Sequence, residues 1–393
     1  MPEINVTFDS STASVNSWDG ASLKEVQPKG DVYSIAKASE LAWVVAQVKA
    51  GNNFSGKTIR LLSNIDLQNK LWTPIGDDEH RFDGIFDGQA NTISNIHVEG
   101  ATYAGLFGVT DTNSKIIKLG TKGSCRIVNE AEVYGGTLAG VNHGIIDDCF
   151  NACHITVETN TEKIAAIGGL TGVNFRMISN CFNEGSISAT NSNAQLGGLT
   201  GVNHGLIEDC YNEGSLASQV AITNSTLTRI SNYAGGIAAI DHGHIRKCYN
   251  EGAVEISLKA ANTDYAELFA GGICGWNDGT LHDCYNLQEV MAAIDFASEN
   301  EILTLNAYAG GISGWNAGTV EKCYNESKVH AKARLRPTGS LEEAYAGGIV
   351  GINHGKITNS RNTGSAYADA SLSRNVHTHN ISGQNEGSII DSF

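Results

Sequence analysis

The sequence predicts an all-β fold: a parallel β-helix, a solenoid with three short strands per coil, preceded by one capping helix. Two observations carry this. The stretch AGGISGWNAGTVEKCYN, Ala309 to Asn325, returns with substitutions as GGLTGVNHGLIEDCYN from Gly197, GGICGWNDGTLHDCYN from Gly271 and GGIVGINHGKITNSRN from Gly347. Aligned on the glycine pair, the units begin at Gly136, Gly168, Gly197, Gly235, Gly271, Gly310 and Gly347. Their spacing of about 29 to 39 residues suits one stacked coil each. The second observation is the absence of amphipathic runs of about 10–12 residues, which a helical repeat would need. Instead, one apolar residue recurs per strand per coil, in the columns Leu138, Leu170, Leu199, Ile237, Ile273, Ile312, Ile349 and Ile146, Ile178, Ile207, Ile245, Leu281, Val320, Ile357. Short strands, glycine turns and stacked apolar columns describe a β-helix.

In chain order, residues 1–110 read as an N-terminal cap with the first irregular coils. Leu41, Val44, Val45 and Val48 fall at i, i+3, i+4 and i+7, so about Ala38 to Ala50 is predicted helical, with Gly51 as its C′ residue. Short β-type runs follow at Thr58–Leu62, Asn64–Leu67 and Thr92–Val98. Such a region shields the open edge of the first coil. Residues 111–393 are the repeats. In the unit at Gly310 the strands are read as Ala309–Trp315, Thr319–Tyr324 and Lys328–Lys332. An eighth unit opens near Ile381 and stops at Phe393, so a longer chain is expected. Length varies between the third strand and the next glycine pair, at Gln219–Asn232, Ser257–Leu268, Ala292–Leu305 and Ala331–Glu343. Inserts at one position of a solenoid leave from one edge, so these predict a wall of lateral loops, the expected binding surface.

Composition limits the partners. A formal charge of −16 opposes nucleic acid, anionic polysaccharide and anionic membrane. No run approaches the roughly 18 apolar residues of a membrane helix. The start, MPEINVTFDS, has no basic-then-apolar leader, which fits a cytosolic chain or one whose leader was removed.

The unit G-G-[IL]-x-G-x-N-x-G-x-[ILV]-x-x-C-[YF]-N resembles the GLUG-motif repeat of bacterial secreted and cell-surface proteins, a repeat that also accompanies some IgA-cleaving metallopeptidases. The segments LLSNIDL from Leu61, TPIG from Thr73, FDGQANTISNI from Phe86 and YAGLFG from Tyr103 resemble what precedes such repeats. The resemblance implies a right-handed β-helix, secretion or surface display, and an adhesive or scaffolding role toward a host or matrix glycan or protein. It brings no catalytic residues and no cofactor. The chain departs from the pattern in the fourth unit, with Ala239 for Gly and Asp241 for Asn, and in the second, with Phe175-Arg176 for His-Gly.

Most remaining signals have a structural reading. The column Cys149, Cys181, Cys210, Cys248, Cys284, Cys323 continues as Ser360 and Ser392, which fits small buried fillers better than a thiolate ladder. Two Asn columns, from Asn142 and Asn151, suit stacked turns. The rings Phe150, Phe182, Tyr211, Tyr249, Tyr285 and Tyr324 form one aromatic column. Candidate binding residues are the other aromatic positions: Tyr233, Phe269, Tyr308 and Tyr345, with Trp276 and Trp315, which replace Val, Val, Val and Ile of earlier units. A partial histidine column, His143, His204, His242 and His354, reads as solvated turns interrupted by Phe175, Asp278 and Ala317. The alternative function is a β-helix carbohydrate-active enzyme, lyase or hydrolase. Its residues would be Asp241, His242, His244 and Arg246, where the repeat falters, and His204 is the further imidazole that could join them in a metal or acid–base site. A third reading is a cytosolic regulatory scaffold. GNNFSGKT at Gly51–Thr58 matches the phosphate-loop expression, but here a helix enters and a strand leaves, the reverse of the required order.

Overall fold

The structure, a computed structural model, describes residues 18–159, 163–190, 193–220, 229–259, 265–297, 304–336, 341–370 and 376–393. Three sheets build it, the first along the whole stack and the other two from residue 103 onward. The first has 26 strands, from Val32–Ile35 to Ser388–Ile390. The second and third have nine each, from Tyr103–Ala104 to Val376–His379 and from Phe107–Val109 to Ser382–Asn385. Partners across coils are in register and parallel, as in Trp276↔Trp315 and Asn277↔Asn316. This is a parallel β-helix. Its pairing is continuous across residues 110 and 111, because Ile85–Glu99 pairs with Lys115–Val128, which pairs with Ile145–Asp147 and Phe150–Glu158. The irregular coils and the repeats thus share one stack.

The helix forms at Ala38–Lys49 and ends at Ala50, with Gly51 at φ +95°. Leu41, Val44 and Val48 are buried in the same core as Ile35, Ile59 and Leu61. Burying each such side chain contributes about 1.5–3 kcal/mol. The phosphate-loop look-alike leads from this helix into the strand Thr58–Leu61, and Lys57 pairs with Asp31 at 2.5 Å.

Each coil differs from the expected three strands in two respects: the run read as Thr319–Tyr324 is broken at Lys322 into Thr319–Glu321 and Tyr324–Asn325, and the first run is split as well. The run read as Ala309–Trp315 is two strands, Thr304–Gly310 in the second sheet and Ser313–Asn316 in the third. The glycine pair is the corner between them. A Cβ on Gly311 would lie 2.1 Å from the Gly348 carbonyl oxygen and 2.3 Å from the Asn325 amide carbon, so the corner closes only without a side chain. The second glycine of the pair and the Asn fourteen residues later are packing partners. A second corner sits before each member of the cysteine-to-serine column. There Asp148, Asn180, Asp209, Lys247, Asp283, Lys322, Asn359 and Asp391 take positive φ near +50°, a conformation that Asp and Asn tolerate best.

The inserts are in large part strand. Val254–Leu258 and Tyr265–Gly271 flank one of them, and Val290–Ala297 and Thr304–Gly310 another, against Ile187–Ala189 and Ala194–Gly197 in a short coil. Alternation explains the difference: Val254, Ile256 and Leu258, then Ala266 and Leu268, all point into the core. The tips, 221–228, 260–264, 298–303 and 337–340, lie outside the described residues.

Inside, both apolar columns are fully buried. All nine cysteines are free and buried. Cys181 Sγ accepts from the Cys149 N–H at 3.4 Å and donates to the Ser179 carbonyl at 2.9 Å. Ser360 Oγ does the same work, accepting from the Cys323 N–H and donating to the Thr358 carbonyl. That is why serine replaces cysteine without disturbing the stack. Burial pushes the Cys125, Cys248, Cys274 and Cys284 thiols well up. Two asparagine ladders complete the interior. One runs Asn151, Asn183, Asn212, Asn250, Asn286, Asn325, Asn362, each Nδ2 donating to the next Oδ1 at 2.7–2.9 Å. Most members also donate to the carbonyl two residues on, as Asn212 does to Gly214.

Candidate binding groove

The second and third sheets meet at the glycine corner, and their outward side chains face each other across it. From the second sheet come Tyr103, Tyr134, Ala166, Gln195, Tyr233, Phe269, Tyr308, Tyr345 and His377, in register from coil to coil. From the third come Val109, Val141, Val173, Val202, Ile240, Trp276, Trp315 and Ile352. They form apolar clusters separate from the main core.

In the C-terminal half the seam is filled. Tyr233, Phe269, Tyr308 and Tyr345 stack at 4.9, 4.7 and 5.2 Å. Trp276 and Trp315 stack at 5.0 Å and meet those rings edge-on, Trp276 on Phe269 at 5.6 Å and Trp315 on Tyr308 at 5.8 Å. Phe269, Tyr308 and Tyr345 are buried, and Tyr233, Trp276 and Trp315 are partly buried. Of the six candidate binding residues, the structure therefore gathers all into one cluster whose ring faces are largely taken by each other.

In the N-terminal half the seam is open. Ala166 and Gln195 stand where later coils carry rings, and Val141, Val173, Val202 and Ile240 stand where later coils carry Trp. The missing volume is a groove of about 480 Å³ lined by Tyr103, Tyr134, Val173, Gln195, Val202 and Ile240 among others. It crosses about four coil steps, on the order of 19 Å at the usual strand spacing. One rim is a ladder of flat rings: His143, Phe175, His204 and His242, at 4.7, 4.9 and 4.8 Å and within 17° of parallel. Phe175 continues the histidine column rather than interrupting it, because stacking needs a flat ring of any kind. The ladder ends where His242 Nδ1 meets Asp278 Oδ1 at 2.7 Å. At the other end of the groove the Tyr103 hydroxyl donates to Asp78 at 2.6 Å, which pushes its pKa to about 12. Burial lowers the pKa of His143 and of His204, so both are neutral near pH 7.

The residues of the enzyme alternative do not converge. Asp241 is wholly buried in the ladder that starts at Asn142. His242 is on the groove rim, and His244 and Arg246 are exposed on a first-sheet strand, where Arg246 pairs with Glu208 at 2.6 Å. His204 stacks on His242 ring to ring. Among the described residues no group of three or more His, Cys, Asp or Glu is placed to hold a metal ion. No helix among them is long and apolar enough to cross a membrane.

No protein-family model matches the chain, and no solved structure matches it. It is similar to a protein of Evansella cellulosilytica named "Putative Gly-rich membrane protein", 32% identical over 128 residues, which are 30% of this chain. The aligned part is 14% of that protein's length.

Proposed function

We propose that this chain is a non-catalytic, GLUG-type β-helical module of a secreted or surface-displayed protein, and that its open groove holds an extended neutral glycan. The observation that carries the proposal is the two-coil gap in the aromatic seam at Ala166 and Gln195, which leaves an axial groove with an apolar floor and a polar rim. Sugars have the same two-sidedness: C–H faces for Val173, Val202 and Ile240, and hydroxyls for Gln195, the Tyr134 hydroxyl and the imidazole edges. The ring faces of the ladder cover each other, so recognition rests on edges and the aliphatic floor. Neutral histidines and a charge of −16 favour a neutral glycan over an anionic one. The likeness to a stretch of a Gly-rich membrane protein is in keeping with display at a cell surface.

The test uses Val202→Trp, which puts into the groove the residue that the same column carries at Trp276 and Trp315. Binding is measured calorimetrically against a panel of neutral and acidic glycans. A neutral glycan should bind the wild type and lose at least about tenfold in affinity, about 1.4 kcal/mol, in the variant, with the melting temperature retained. Equal binding by the variant would refute the groove. Binding of extended peptides with no glycan would refute the ligand class.

A further inference from the structure

One position in the first asparagine ladder is chemically inconsistent with its neighbours. Asn142 donates to Asn174, Asn174 to Asn203, and Asn203 to Asp241, at 2.9, 2.8 and 2.7 Å. The ladder resumes with Asn277 donating to Asn316, Asn316 to Asn353 and Asn353 to Asn385. Between the two halves, Asp241 and Asn277 are register partners on adjacent strands. Asp241 Oδ1 is used, accepting from Asn203 and from the Gly243 N–H at 3.2 Å. Asp241 Oδ2 takes the place of the amide nitrogen that every other step supplies, and it is a buried oxygen without a partner. Asn277 Oδ1, the acceptor that this missing donor would have served, is likewise buried and unpartnered. Two orphaned acceptors on facing residues call for one hydrogen between them.

We propose that Asp241 is held as a neutral carboxylic acid whose Oδ2–H donates to Asn277 Oδ1, closing the ladder, and that loss of this proton opens the joint and loosens the adjoining groove rim at His242 and Asp278. The surroundings agree. Burial pushes the Asp241 carboxyl from 3.8 to about 7, and the Asp278 carboxylate adds to the rise. The other titratable groups near it supply no compensating cation. His204 and His242 stack on each other at the rim, and His242 is engaged by Asp278. The Cys274 thiol donates to the Trp276 carbonyl. Arg246 and Lys247 pair with Glu208 on the first sheet. Ionised Asp241 would put a buried negative charge against Asn277 Oδ1.

The sign follows. The folded-state pKa is above the unfolded one, so the stabilisation is complete below pH 4, falls as pH rises toward 7, and is gone above it. The experiment follows the unfolding equilibrium of the full chain from pH 4 to 8.5, for the wild type and Asp241→Asn. The variant folds because Asn fills this position in the neighbouring coils, at Asn203 and Asn277. The wild-type unfolding constant should rise about tenfold per pH unit between 4 and 7, relative to the variant, and then level off. Asn316→Asp, a new acid in an intact part of the ladder, should acquire the same dependence. Parallel pH curves for wild type and Asp241→Asn would overturn the proposal. So would a wild type whose stability above pH 7 is restored by Na⁺, K⁺ or Ca²⁺ when Asp241→Asn is indifferent to them, since a cation and not a proton would then bridge the two oxygens.

Discussion

Replacing Asn212 by alanine tests whether the interior ladders hold the stack together or merely occupy it. The side chain is fully buried and makes three strong contacts: it accepts from Asn183 Nδ2 at 2.7 Å and donates to Asn250 Oδ1 at 2.7 Å and to the Gly214 carbonyl at 2.8 Å. Alanine removes all three. It leaves Asn183 Nδ2 with only Gly185, Asn250 Oδ1 with only the Gly252 N–H, and a small void against Gly198. At about 1–1.5 kcal/mol per lost bond, with the void added, the loss is about 3–5 kcal/mol. Urea unfolding followed by tryptophan fluorescence gives the global value. Native-state hydrogen exchange shows whether the coils on either side of Asn212 open locally, as nearest-neighbour coupling in a solenoid requires. Asn362→Ala, at a buried position near the last coil that makes the corresponding three bonds, should cost a similar amount. A loss below about 1 kcal/mol for Asn212→Ala would refute the reasoning, because it would mean that water replaces the amide at no cost.

Cys248→Ser should lower stability by no more than about 1–2 kcal/mol in the same urea assay, since the hydroxyl can donate to the Arg246 carbonyl as the thiol does; in the wild type, none of the nine cysteines should react with an aromatic disulfide reagent until the chain is unfolded. Tyr103 should ionise near 12 in an alkaline absorbance titration, and Asp78→Asn should bring it down toward an ordinary phenol by replacing the charged carboxylate that holds its proton with a neutral amide.

The sequence alone specified the solenoid, because a parallel in-register stack puts the same position of every coil at the same place. Leu138 through Ile349, the cysteine-to-serine column and both Asn columns were legible as columns for that reason, and so was the helix at Ala38–Lys49 with its glycine stop. The periodicity of a coil says which residues align but not which way they face, and there only the tertiary structure decided. The glycine pair proved to be a corner between two sheets, since a Cβ at Gly311 would meet the backbone of the next coil. The corners at Asp148, Asn180 and Lys247 carried only a weak polar signal, because residues as different as Asp and Lys adopt the same positive φ. The aromatic gap at Ala166 and Gln195 was present in the alignment, but it became a groove only once the outward faces of two sheets were seen to oppose each other. Asp241 stood out in the sequence as a break in the pattern. What the fold added is that its side chain turns inward, into an amide ladder where its Oδ2 and the facing Asn277 Oδ1 are both left without a donor.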